Sequence, residues 1–141
     1  MPTGYQIDKQ DACYYMIAHL EWVDIFTRKT YRDIITDSLN YCIDKKGLEV
    51  FAWVLMSNHL HLLARAAQEN LSDVIRDFKR QTSRHILSAI EQNSESRREW
   101  MLDIFSKSAS KHVRNQYYQL WTHENHAEEI YSSKFTLQKI L

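Results

Sequence analysis

Leu48-Glu49-Val50-Phe51-Ala52-Trp53-Val54-Leu55-Met56-Ser57-Asn58-His59-Leu60-His61-Leu62-Leu63-Ala64 is the stretch on which the fold turns. Leu48 to Met56 is β-branched and aromatic in character, Ser57 and Asn58 supply a polar turn, and His59 to Ala64 returns alongside, so the segment predicts a hairpin. Side chains alternate across a strand. His59 and His61 therefore share one face of the returning strand, while Leu60 and Leu62 point into the opposite layer.

Upstream, Tyr31, Ile34, Ile35, Ser38, Leu39 and Cys42 recur at three- and four-residue spacing, which predicts an amphipathic helix within Asp24 to Lys46. Gly47 after Lys45 and Lys46 is its stop. Before it, Cys13 to Trp22 reads as a first strand. Downstream, Leu71, Val74, Ile75, Phe78, Thr82, His85, Ile86 and Ile90 mark a second long helix, with Asn70 as N-cap and Asp73 in its first turn. A shorter helix is expected over Ser96 to Phe105, then a polar stretch to Gln116, a further strand over Tyr117 to Trp121, and a last helix capped by Ser132 or Ser133. The order strand, helix, strand, strand, helix predicts an α+β fold of the ferredoxin-like split βαβ kind, an antiparallel sheet with helices on one face. One domain should span residues 1–141.

The 18 lysines and arginines equal the 18 aspartates and glutamates. No global field draws the chain to nucleic acid or to an anionic membrane, so any DNA contact must come from local patches. No apolar run is long enough to span a bilayer, and a cytoplasmic location is expected. Cys13 and Cys42 lack a C-x-x-C partner and read as free thiols.

Two imidazoles side by side on a strand can chelate a divalent ion. With added carboxylate, amide or water oxygens, such a mixed site suits Mg²⁺ or Mn²⁺ acting on phosphate. The competing reading of His59 and His61 makes one a core residue satisfied by the backbone and the other a surface residue. Arg76, Arg80 and Arg84 recur every four residues with Lys79 adjacent, a stripe that either tracks DNA phosphates or is a solvated face balanced by Asp73 and Asp77. A second basic group comprises Arg97, Arg98, Lys107, Lys111, His112 and Arg114, and reads as a DNA-contacting loop. Trp100 and Trp121 are either base-stacking or core anchors.

Trp53 to Leu63 resembles the H-hydrophobic-H strand of the single-tyrosine transposases, in particular the REP-associated tyrosine transposase branch of the HUH endonuclease group. Trp22 to Arg28, Leu71 to Lys79, Glu95 to Trp100 and Leu120-Trp121 resemble the same family in the expected order. The resemblance implies that His59 and His61 hold the ion at the scissile phosphate, and that a tyrosine attacks single-stranded or hairpin DNA to leave a 5′-phosphotyrosine link. In that branch the nucleophile opens a Tyr-Ile-x-x-Asn-Pro segment on a helix after the last strand. This sequence has no such motif, and Phe135 to Leu141 looks like the stretch preceding it, so a chain stopping short of its nucleophile is expected. Tyr131 is the candidate within the chain, whereas Tyr117 and Tyr118 read as core aromatics and Tyr14, Tyr15, Tyr31 and Tyr41 as packing. The resemblance is compatible with a monomer or a homodimer. Two alternatives stay open: a non-catalytic module that holds a DNA hairpin, and a small protein with His59 and His61 in a structural zinc site.

Overall fold

Gly47 adopts φ 72° and ψ 23°, a left-handed conformation that costs glycine nothing, and its N–H bonds back to the carbonyl of Cys42. The chain thereby leaves one helix and enters a strand without an intervening loop. The computed structural model describes residues 13–21, 23–67, 70–92, 95–110, 118–122 and 127–129. In order these form β1 (Tyr14–His19), a 3-10 turn (Ile25–Thr27), α1 (Lys29–Lys46), β2 (Leu48–Leu55), β3 (His59–Ala66), α2 (Leu71–Gln92), α3 (Arg98–Ser110) and β4 (Glu128–Glu129). The four strands lie in the order β2-β3-β1-β4. Every pairing is antiparallel. This α+β arrangement is the split βαβ order, with α3 added.

Leu60, Leu62, Ala64 and Ala66 of β3 join Tyr14, Met16 and Ala18 of β1 on the inner face. Ile35, Leu39 and Cys42 of α1 and Val74, Phe78, Ile86 and Ile90 of α2 belong to the same core. Asn70 caps α2 through its side-chain oxygen, which accepts the Ser72 N–H at 2.9 Å. His85, which the spacing puts among the positions marking the apolar face of this helix, is exposed instead.

Three expectations need correction. The segment from Asp24 begins with the 3-10 turn before α1 starts at Lys29. α3 reaches Ser110, with Ser108 and Ala109 buried, so Ser106 to Ser110 is helix and not part of a polar loop. The aromatic run ending at Trp121 forms no regular strand: its described part makes one isolated antiparallel bridge, Leu20 to Trp121. The reason is the indole, which turns inward between Phe26 and Phe78, at ring-centroid distances of 6.1 Å to each. Its Nε1–H donates to Thr82 Oγ1 at 2.9 Å. Trp22, Tyr117, Ser132 and Ser133 lie outside the described residues.

Candidate functional site

The outer face of the sheet carries the histidines. His59 and His61 are half-buried, and their rings meet edge to face with centroids 4.9 Å apart. The i, i+2 spacing predicted this. His19, directly opposite His59 in the β1–β3 register, stacks on it at 5.0 Å. Sequence reading missed His19. Its parity along β1 was legible, but which residue it faces depends on a strand register that no local signal encodes.

The hairpin turn is held by backbone bonds from two other elements. The carbonyl of Asn58 accepts the Leu20 N–H at 2.9 Å, and that of Ser57 accepts the Phe26 N–H at 2.9 Å. Met56 N–H closes the turn onto the His59 carbonyl at 2.8 Å. Both imidazoles are also held through Nδ1: Asn58 Oδ1 lies 2.8 Å from Nδ1 of His59, and the Tyr15 hydroxyl lies 2.5 Å from Nδ1 of His61. Burial lowers the pKa of each histidine below the ordinary value, helped by the neighbouring His61 for His59 and by His19 for His61. Both rings are thus biased toward the neutral form that can ligate a metal. Among the described residues no group of three or more His, Cys, Asp or Glu side chains is placed to hold an ion by itself. An ion on His59 and His61 would need amide or water oxygens as well.

A second feature is a cleft of about 400 Å³ between α2 and the segment 118–122. Arg76, Lys79, Arg80, Ser72 and Ser83 line one wall, and Tyr118 through Thr122 the other. Thr122 N–H bonds the carbonyl of His19 at 2.9 Å, so the wall of the cleft is fastened to the strand that carries the third imidazole. The structure divides the basic stripe. Arg76 is ion-paired to Asp73 and Asp77, Lys79 turns in and donates to the Thr122 carbonyl at 3.0 Å, and Arg80 and Arg84 are exposed. Burial pushes the Lys79 pKa down to about 8.

The second basic group is used differently. Arg97 pairs with Asp24 and Glu95 and lies over the Trp100 ring, Arg98 donates from Nε to the Ile90 carbonyl at 2.9 Å, and Lys107 pairs with Asp103. The Arg97–Asp24 and Arg98–Ile90 contacts tie the start of α3 to the rest of the fold, whereas the Lys107–Asp103 pair lies within the helix. Lys111, His112, Arg114 and Tyr131 lie outside the described residues. Trp121 is a core anchor, whereas Trp100 is 48% exposed.

The family model "Transposase IS200 like" matches residues 12–119. The chain belongs to the IS200-like transposase family. A solved structure of a REP-associated tyrosine transposase bound to a REP hairpin superposes with a TM-score of 0.64 at 12% identity, covering 99% of this chain and 68% of that one. A crystal structure of a transposase from Deinococcus radiodurans is 18% identical, covering 99% of this chain and 92% of that one, with a TM-score of 0.48. No curated protein matches the sequence. At 12% identity the first likeness shows the transposase fold. No described helix is long and apolar enough to cross a membrane.

Proposed function

We propose that this IS200-like transposase chain binds single-stranded or hairpin DNA, with backbone phosphates in the α2 cleft and the target phosphate at the His59–His61 pair. The observation that carries the proposal is the pairing of the two imidazoles on one sheet face, 4.9 Å between centroids, in a fold whose solved relative holds a DNA hairpin. The donor set fits Mg²⁺ or Mn²⁺: two neutral imidazoles, each with Nδ1 occupied, leave two Nε2 atoms and room for oxygen ligands. Such an ion would polarise a phosphodiester toward attack by a nucleophile. The protein's own part is to hold both rings rigidly on β3 and to neutralise flanking phosphates with Arg80, Arg84 and Lys79, helped by Lys111 and Arg114. Arg76, Arg97 and Arg98 already spend hydrogen bonds inside the fold and contribute less. Nicking and rejoining through a phosphotyrosine is the chemistry this site supports when a tyrosine is supplied to it.

Replacing both His59 and His61 by alanine should abolish Mn²⁺ binding in calorimetric titration while leaving hairpin binding within a few-fold. Tight zinc binding that is inseparable from folding would instead support a structural metal site. Hairpin binding by an unaltered chain that takes up no Mn²⁺ would support the non-catalytic module.

A further inference from the structure

The geometry points to Tyr15 and Asn58 as positioning residues that hold His61 and His59 in the Nδ1–H tautomer, so that Nε2 is the nitrogen each ring leaves to a metal ion. The inference rests on the metal reading above and names what orients its ligands. Asn58 Oδ1, 2.8 Å from His59 Nδ1, can only accept, so the proton sits on Nδ1 and the lone pair on Nε2. The turn that carries Asn58 cannot swing away, because its carbonyl and that of Ser57 are both bonded to neighbouring elements. Tyr15 faces Leu63 in the register and reaches diagonally to His61, placing its hydroxyl 2.5 Å from Nδ1. At 5% exposure the phenol ring has one position, and its ring lies against the imidazole at 5.9 Å and 27°. The hydroxyl can accept the Nδ1–H of His61 or donate to a bare Nδ1; a flipped ring would forfeit the bond in either case, and the accepting arrangement is the one that leaves the Nε2 lone pair for a metal ion. Anchors of different chemistry on different elements thus fix which nitrogen each ring presents, the Asn58 oxygen by requiring Nδ1–H on His59 and the Tyr15 hydroxyl by occupying Nδ1 of His61. A site needing two Nε2 donors has this requirement, and simple packing does not.

Side-chain ¹⁵N spectra of the 141-residue chain, without metal at about pH 8 where histidine is neutral, read the tautomers directly. Both His59 and His61 should show the Nδ1–H form. Tyr15→Phe should release His61 alone, Asn58→Ala should release His59 alone, and Asn58→Asp should restore it. Mn²⁺ affinity should fall about 10- to 100-fold in Tyr15→Phe and Asn58→Ala. An Nε2–H form at either histidine in the unaltered chain, tautomers unmoved by the substitutions, or unchanged Mn²⁺ affinity once the tautomers have moved would overturn the inference. If the tautomers respond as stated but the unaltered chain binds no Mn²⁺, positioning stands and the metal reading of the site falls.

Discussion

A carboxylate sealed from water is costly unless several donors converge on it. Glu95, whose side chain is 1% exposed, meets that condition: Arg28 Nη1 donates at 2.8 Å, the Tyr31 hydroxyl at 3.0 Å and the Arg97 N–H at 3.2 Å. Burial opposes its ionisation, but these donors outweigh it and hold its pKa below the ordinary value of 4.5. Burial, reinforced by Glu95, raises the Tyr31 hydroxyl from 10.0 to about 12. The two shifts give opposite signs. Stability from Glu95 is fully present above the unfolded carboxylate pKa and is lost as pH falls through the lower folded value. Stability from Tyr31 is present below pH 10 and is lost as pH rises toward 12. Glu95→Gln should cost about 2 kcal/mol in chemical denaturation near neutral pH, and should flatten the acid limb of the stability profile. An unaltered acid limb would show that other carboxylates govern it. The sequence stretch Glu95 to Trp100 was legible as family-like, but the role of Glu95 was not. Two of its three partners lie 64 and 67 residues away, brought together only when α1 packs beside the α2–α3 corner.

At the scale of elements, α2 has an apolar side at three- and four-residue spacing and a basic side split between paired and exposed cations. Periodicity revealed both sides, because helical geometry is local. It did not reveal that Lys79 would be drawn into the cleft, since the acceptor is a carbonyl 43 residues on. Two outcomes follow for DNA binding. Substituting Arg80 and Arg84 together by alanine should reduce the dependence of hairpin affinity on the logarithm of salt by about 2, one for each phosphate that is no longer neutralised. Arg76→Ala should change it less. Because burial places the Lys79 pKa at about 8, affinity should also decline as pH rises from about 7 to 9, and Lys79→Arg should remove that decline. A pH-independent affinity would mean that Lys79 serves only to bridge α2 to Thr122. β2, at one edge of the sheet, exposes Phe51, Trp53 and Val54.

For the whole molecule, the fold's attachment points matter more than its sheet. Trp121 closes the core beneath α2 and, through the Leu20 bridge, fastens the segment after α3 to β1. Trp121→Ala should cost about 3–5 kcal/mol in equilibrium unfolding. It should also open the cleft that this segment walls. The 141-residue chain should form no covalent adduct with labelled hairpin DNA in Mn²⁺ on a denaturing gel. Among the described residues Tyr14 and Tyr31 are buried in the core and the Tyr15 hydroxyl is engaged on Nδ1 of His61, and a nucleophile not held at the phosphate forgoes an effective-molarity advantage of roughly 10⁵ or more. A covalent band that vanishes in Tyr131→Phe would place the nucleophile at that position. By itself the sequence determined the α+β order of elements, the stop at Gly47, the cap at Asn70 and the shared face of His59 and His61. Each of these follows from interactions spanning a few residues or from the strict alternation of a strand. Tertiary structure alone decided that His19 stands opposite His59, that Tyr15 and Asn58 grip the two imidazoles, that Trp121 leaves the sheet for the core, and that Glu95 is buried. Those outcomes depend on strand register and on helix packing, where residues distant in the chain compete for the same partners and no local pattern says which will win.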